Sequence, residues 1–362
     1  MTGARNPIQF MKNTNIQWCH STVNPVMGCD GCELWPSALR LTELIMSALR
    51  RSCCRPSEEV AWNVVNVVGD RSTSEIYLDR ERIAGQLCSM SSSRSQHYLR
   101  NEIIDAIRWE CKCYAGMLGT FRAGHKGYAD AFDVPKLYPG RMVTAASWGR
   151  PTEKEISDKP WLRGLPRLIF VSDMGDALSA NIPFEYLHRE IIRNVSSPCG
   201  QRHLWLWLSK RPARMAEFGL WLAKQGMAWP DNLVAMTTVT HQSFAQRIVE
   251  LRKVPSKLKG LSLEPLFCRV NLDLHGIDWV IVGGGSDALA SAFHVEWAMD
   301  LRKQCETEGI AFFLKQLGSF PWHQGQRMRL KDSHGADWNE WRQEWRVREL
   351  PEAFSNLLPT TM

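Results

Sequence analysis

The chain has 362 residues, 44% of them hydrophobic and 23% charged, with a net charge of +6. This is an ordinary globular composition, without the run of about 18 apolar residues that would suggest a membrane span. The length fits one large α/β domain with an insertion, or two domains, and the charge permits a polyanionic partner without requiring one.

The start, MTGARNPIQFMKNTN, lacks the apolar core of a secretory signal, so a cytoplasmic location without membrane attachment is expected. Eleven cysteines in such a chain argue for reduced thiols, some of them metal ligands, and against a disulfide scaffold. The first predicted strand, IQWCHSTVNP, feeds the loop NPVMGCDGCE at 24–33, where Gly28 and Gly31 relax the backbone around Cys29 and Cys32. Cys19, inside the strand pattern, is expected to be packed.

Residues 33–110 read as an inserted mixed subdomain over the barrel mouth. SALRLTELIMSALRRS and HYLRNEIIDAIRWE have helical patterning, VAWNVVNVV and EIYLDR are β-rich, and SSSRS (91–95) reads as a loop. Cys53, Cys54 and Cys88 lack partners at metal-ligand spacing and are expected to be structural thiols. The segment leads into ECKCYAG, with Cys111 and Cys113.

From residue 165 short β-rich runs alternate with amphipathic stretches. The strands are RLIFVSD, HLWLWLSK, NLVAMTTV, GLSLEPL, DWVIVGGG and AFFLKQLG. The helices between them are FEYLHREIIRNV, ARMAEFGLWLAKQG, HQSFAQRIVELRK and HVEWAMDLRKQCETEG. Such βαβα order builds a parallel sheet covered by helices. With the first strand it makes seven, enough for a full or partial β/α barrel, with a doubly wound sheet as the other option. Barrel enzymes carry their chemistry at the C-terminal strand ends. Here those ends hold Asp173, Lys210 with Arg211, Thr238, Glu264, Gly283 to Gly285, and Lys315 with Gln316. Each alone reads more simply as a cap or salt bridge; the series reads as a polar mouth. His20 and His241 read as satisfied or exposed histidines. The tail WNEWRQEW, with Trp338 and Trp345, favours packing over base stacking.

Cys29, Cys32 and a third cysteine from CKC could close on structural zinc with a fourth ligand. They could equally hold a [4Fe–4S] cluster with one iron open, and spacing alone does not decide between them. Beyond the residues themselves, the chain resembles a phage-associated branch of the radical S-adenosylmethionine superfamily. The resemblance rests on VNPVMGCDGC, CYAG, FVSDMGDAL, WLSKRPARM, LSLEPL, DWVIVGGG and FFLKQLG, in that order. It departs from the family pattern in the long insertion and in Cys111.

The resemblance implies a partial β/α barrel of the radical S-adenosylmethionine type. The expected layout is a first strand and cysteine loop (1–32), the insertion (33–110), the barrel (111–320) and a C-terminal extension (321–362). It implies a [4Fe–4S] cluster on Cys29, Cys32 and Cys113; Cys113 is preferred to Cys111 because Tyr114, Ala115 and Gly116 complete the motif. S-adenosylmethionine would meet Asp173, Glu264, Gly283, Gly284 and Lys315. Lys210, Arg211 and Glu264 would serve the reaction, the two cations by holding a carboxylate or phosphate and Glu264 by taking the cofactor ribose or a substrate amine. Some phage members of the branch belong to pathways that hypermodify thymidine in viral DNA. The implied reaction is isomerisation of glycine attached through nitrogen to the thymine methyl carbon, giving attachment through the α-carbon. Modified DNA and an electron donor such as flavodoxin or ferredoxin are the implied partners, and the host cytoplasm the implied location. Arg50, Arg51, Arg55, Arg94 and Arg100 are expected either to touch phosphates or to form a solvated helix face.

Overall fold

Eight strands form one sheet, in the order in which the chain makes them. They are β1 (Phe10–Met11), β2 (Ser21–Val23), β3 (Arg167–Val171), β4 (His203–Ser209), β5 (Leu233–Thr238), β6 (Lys259–Leu263), β7 (Trp279–Gly283) and β8 (Ala311–Gln316). The seven from β2 to β8 are parallel, and β1 adds an antiparallel edge. Each parallel strand lies beside the next in sequence, so the sheet winds one way as a half-barrel. A doubly wound sheet would reverse its order at a switch point, and this one does not. The computed structural model describes residues 10–11, 14–52, 57–90, 96–287 and 290–356. Cys53, Cys54, Arg55 and the 91–95 loop with Arg94 lie outside the described residues.

All six strands expected after residue 165 are present, because their apolar runs are buried almost throughout. A covered parallel sheet demands this near-continuous apolarity. Leu168, Phe170, Leu204, Leu206, Val234, Met236, Ile281 and Phe313 share one core with Trp18 and Trp279. Cys19 is fully buried in that core, and burial pushes its thiol up to about 12. His20 is also a core residue, its Nδ1 accepting the Leu168 N–H at 3.0 Å. His241 is an exposed cap whose Nδ1 accepts the Ser243 N–H. The tail packs as well: Trp341 and Trp345 are buried, and the Arg348 guanidinium lies over the rings of Trp161, Trp338 and Trp341.

By internal contacts the chain divides into two compact units, Met1–Pro7 with Val26–Lys136, and Ile8–Pro25 with Leu137–Met362. The sheet belongs to the second. In the first, helices α1 (Ala38–Ser52), α2 (Ser57–Val68), α3 (Thr73–Leu78), α4 (Arg80–Met90), α5 (Gln96–Glu110) and α6 (Tyr114–Phe121) follow one another.

Two expectations fail here, since VAWNVVNVV lies in α2 and EIYLDR in α3 and the start of α4; the insertion is helical, not mixed. The β-branched residues of α2 are overruled by the spacing of what they bury. Val60, Val64, Val67 and Val68 face the core at helical intervals while Trp62 and Val65 are exposed. Helix α3 starts from a capping box in which Ser72 and Glu75 each bond the other's backbone N–H. Leu41, Ile45 and Leu49 of α1 and Leu99, Ile103 and Ile107 of α5 supply the remaining core, and Cys88 is buried on α4. Among the described residues no helix is long and apolar enough to cross a membrane.

In the sheet unit, α7 (Glu153–Asp158), α8 (Pro212–Lys224), α9 (Gln246–Arg252) and α10 (Val295–Glu308) are joined by a helical stretch at 184–195 with a π-turn at His188–Ile192. A buried ion pair secures α7 to β3. Arg167, wholly buried, reaches both carboxylate oxygens of Glu155 at 2.6 and 3.0 Å, and also the Gly149 carbonyl and the Ser21 hydroxyl. Burial alone would raise the Glu155 carboxyl; hydrogen bonds from Arg167 and Thr152 override it and hold the group down to about 2. Removing one partner strands the other charge, so Arg167→Met should cost about 3–5 kcal/mol, read from the denaturant midpoint. The Glu155 contribution should be fully present above its ordinary value of 4.5 and be lost as pH falls toward about 2. Acid titration of wild type against Arg167→Met checks the sign: the variant should lose less stability across that window.

Candidate functional site

The three cysteines of the expected cluster all lie in the helical unit. Gly28 and Gly31 carry the cysteine loop through the left-handed region, with φ of 89° and 99°. Leu34 then draws the distant CKC segment to the loop: its carbonyl accepts the Lys112 N–H at 2.9 Å and the Cys113 N–H at 2.8 Å. Cys32 and Cys113 each receive a backbone N–H on sulfur, from Leu34 and Gly116, both at 3.4 Å. Cys29 is tied in through its own N–H, which donates to the Phe132 carbonyl at 2.8 Å.

Trp35 fills the space behind these loops. Its ring lies against Gly116, meets Phe132 edge-on at 5.6 Å, and donates through Nε1 to Asp133 at 2.8 Å. Asp133 in turn accepts the Ser74 N–H, which fastens α3 to the same hub.

Cys111 and Cys113 separate clearly. Cys113 is half-buried and caps α6, its sulfur accepting the Gly116 N–H. Cys111 is 1% exposed, and burial pushes its thiol up to about 12. The donor set therefore fits a soft metal centre: sulfurs from two loops in one unit, two of them receiving amide hydrogen bonds. Among the described residues, no group of three or more histidine, cysteine, aspartate or glutamate side chains is already arranged to hold a metal ion. The nine described cysteines form no disulfide.

The strand-end candidates lie in the sheet unit and sort into three clusters. Glu264, just past β6, bonds Lys315 at 2.8 Å through Oε1 and accepts from Trp18 Nε1 at 3.1 Å and Ser262 at 3.3 Å through Oε2. Lys315 sits where the β8 register slips against β7, and such a bulge re-aims a side chain. Gly283 lies beneath this reach across β7: a Cβ there would stand 3.2 Å from Glu264 Oε1. Gly284 packs against the Leu317 carbonyl, leaving no room for a side chain.

Asp173 belongs to a second cluster. Ser172 takes a left-handed φ of 76°, rare for a residue with a side chain, and turns the chain off β3. Asn24 then bridges, donating to Asp173 Oδ1 at 2.5 Å and accepting the Met174 N–H at 2.9 Å. Burial raises the Asp173 carboxyl to about 6 against these hydrogen bonds.

Lys210 and Arg211 belong to the third, around Asp176. That carboxylate accepts from the Ser209 hydroxyl, the Lys210 N–H and the Arg211 guanidinium, the last at 3.0 Å. Thr238 is buried at the end of β5, and Gln316 donates to the Gly284 carbonyl. Sequence reasoning passed over Asn24, Asp176, Trp18 and Trp35. The first two stand inside the quoted motifs VNPV and SDMGDAL; nothing local marks the tryptophans among sixteen.

A β-carbon at position 116 would fall inside the Trp35 ring. Gly116→Ala should therefore lower the unfolding free energy by about 1–3 kcal/mol, the usual cost of overpacking, measured by denaturant titration.

No curated protein and no solved structure matches the chain. A family model described as "Protein of unknown function (DUF5131)" matches residues 107–346, from just before Cys111 through strands β3 to β8 and into the tail, and the chain belongs to that family.

Proposed function

We propose that the chain is a radical S-adenosylmethionine enzyme holding a [4Fe–4S] cluster on Cys29, Cys32 and Cys113. The observation that carries this reading is the Leu34 carbonyl, which ties the second cysteine segment to the first across nearly eighty residues. A hydrogen-bonded join between two cysteine loops is what a shared metal centre needs. When bound, cluster and cofactor supply one-electron chemistry able to take a hydrogen atom from carbon.

The chain's own groups have separable tasks. Backbone amides of Leu34 and Gly116 hold the Cys32 and Cys113 sulfurs in place. Asp173, Glu264, Gly283, Gly284 and Lys315 are assigned to the cofactor. Lys210 and Arg211 are assigned to a substrate carboxylate; Asp176 fixes Arg211 for that task at the cost of part of its charge. The resemblance supports thymidine in DNA bearing an N-linked glycine as substrate and its Cα-linked isomer as product, with flavodoxin or ferredoxin as electron donor. The glycyl Cα–H bond, flanked by amine and carboxylate, is weak enough for such chemistry, and no acid–base route makes the rearrangement easy at neutral pH. A base worked on in this way must leave the stack.

Anaerobic reconstitution with iron and sulfide should give a brown protein with about four irons per chain. Cys29→Ala, Cys32→Ala and Cys113→Ala should each lose the colour, while Cys111→Ala keeps it. A colourless chain carrying one tight zinc would replace the enzyme with a metal-stabilised binding module. Substrate and product have equal mass, so the activity assay is chromatographic separation and fragmentation of nucleosides from treated DNA. A late-eluting isomer that forms only with reductant and cofactor is expected; a four-iron enzyme that leaves the nucleoside unchanged would sink the thymidine assignment.

A further inference from the structure

Of the arginines expected to meet phosphate in the insertion, Arg50, Arg51 and Arg100 are described, and the last two are engaged. Arg51 bonds Glu102 at 3.0 Å and Arg100 bonds Glu81 at 2.9 Å, as on an ordinary solvated helix face. Two arginines without an ion pair among the described residues stand together in the extension after β8. There β9 (Pro321–His323) and β10 (Gln326–Arg327) form a hairpin whose turn residues, Gln324 and Gly325, both have positive φ. This two-residue turn matches the twist of its strands and fixes the register, setting Trp322 opposite Arg327.

Arg327 and Arg329 line a cavity of about 280 Å³ together with Ser319, Ser333 and Asp332. Neither arginine pairs with a carboxylate among the described residues. Arg327 lies over the Phe320 ring at 4.6 Å, which orients the guanidinium without neutralising it. Asp332 is occupied by backbone, accepting the N–H groups of His334, Ala336 and Asp337 at 3.0, 2.6 and 2.9 Å. Ser319 fastens the cavity to the glycine end of β7, its N–H donating to the Gly285 carbonyl at 2.8 Å and its hydroxyl to the Asp287 carbonyl at 2.6 Å. The cavity thus adjoins the strand-end rim of the same unit, and its volume is slightly below the roughly 300–1,000 Å³ of small-molecule pockets. That suits a backbone phosphate with its sugar better than a whole cofactor.

We infer that this cavity holds a backbone phosphate of a nucleic-acid strand, with Arg327 and Arg329 as its cationic clamp. The inference deepens the proposed function and rests on its nucleic-acid part, not on the cluster. The test is fluorescence anisotropy of an end-labelled, thymidine-rich single-stranded oligonucleotide titrated with full-length protein over a range of salt. Two lost phosphate contacts should weaken binding about tenfold in R327A/R329A and flatten the slope of log K against log salt by about 1.4. R327K/R329K, which keeps the charge, should stay near wild type, and R50A/R51A should bind as wild type does. Both cavity arginines are exposed, so an unchanged thermal melt of R327A/R329A certifies its fold. Wild-type binding by R327A/R329A overturns the inference, as does a loss confined to R50A/R51A. Inorganic phosphate competing as tightly as the oligonucleotide also overturns it, by making the cavity a small-anion site. The assay needs no iron: a chain that takes up none yet shows the arginine-dependent binding keeps this inference and loses the radical chemistry.

Discussion

Two hydrogen bonds to the carbonyl of Leu34 decide what the helical unit can be. Without them the cysteine loop and the CYAG helix are separate surface features joined by a long helical excursion. With them, the backbone of Cys113 is bonded to the loop that carries Cys32, and Trp35, the residue after Leu34, becomes the floor on which Gly116, Phe132 and Asp133 are assembled. The strictness of the motif follows from this. Position 116 must be glycine because an indole occupies the place of its side chain, and positions 28 and 31 must be glycine because the loop turns through the left-handed region beside the Phe132 and Trp35 carbonyls.

The sheet unit solves a different problem, that of placing charges at a half-buried rim without stranding them. Each candidate carboxylate is matched on the spot: Glu264 by Lys315 and Trp18, Asp176 by Ser209 and Arg211, Asp173 by Asn24. Partly buried pairs of this kind cost desolvation, and good geometry offsets it. The β8 bulge at Lys315 and the missing side chain at Gly283 supply that geometry for Glu264. The left-handed Ser172 does comparable service for Asp173, and its strain sits where the chain leaves β3 for the polar rim.

The distribution of arginines separates structural charge from charge available to a partner. Arg167 is consumed by Glu155, Arg348 by a surround of aromatic rings, and Arg51 and Arg100 by acidic neighbours on adjacent helices. Basic residues are numerous in this chain, so their count says little about a polyanion. Their partners and their grouping say more: after β8, Arg327 and Arg329 share one cavity without an ion pair among the described residues.

The strands and their parallel direction were legible in the sequence, because a buried parallel strand must be apolar along its whole length and RLIFV, HLWLWLS and WVIVG can do little else; their one-way order, against a doubly wound sheet, was decided by the tertiary structure. The helices between strands were legible for the same kind of reason, through the spacing of their apolar residues. The turn glycines Gly28 and Gly31 could be read from the sequence, and so could the place of the series from Asp173 to Lys315 at the strand ends. Local preference misled where tertiary burial opposed it: the valines of α2 favour a strand in isolation, yet their buried positions repeat at helical intervals against α1 and α4. No linear reading could show that Leu34 joins loops nearly eighty residues apart, that Trp18 reaches Glu264, or that Arg51 is neutralised while Arg327 is not. Those are contacts between residues far apart in the chain, and only folding chooses which of many equivalent side chains meet.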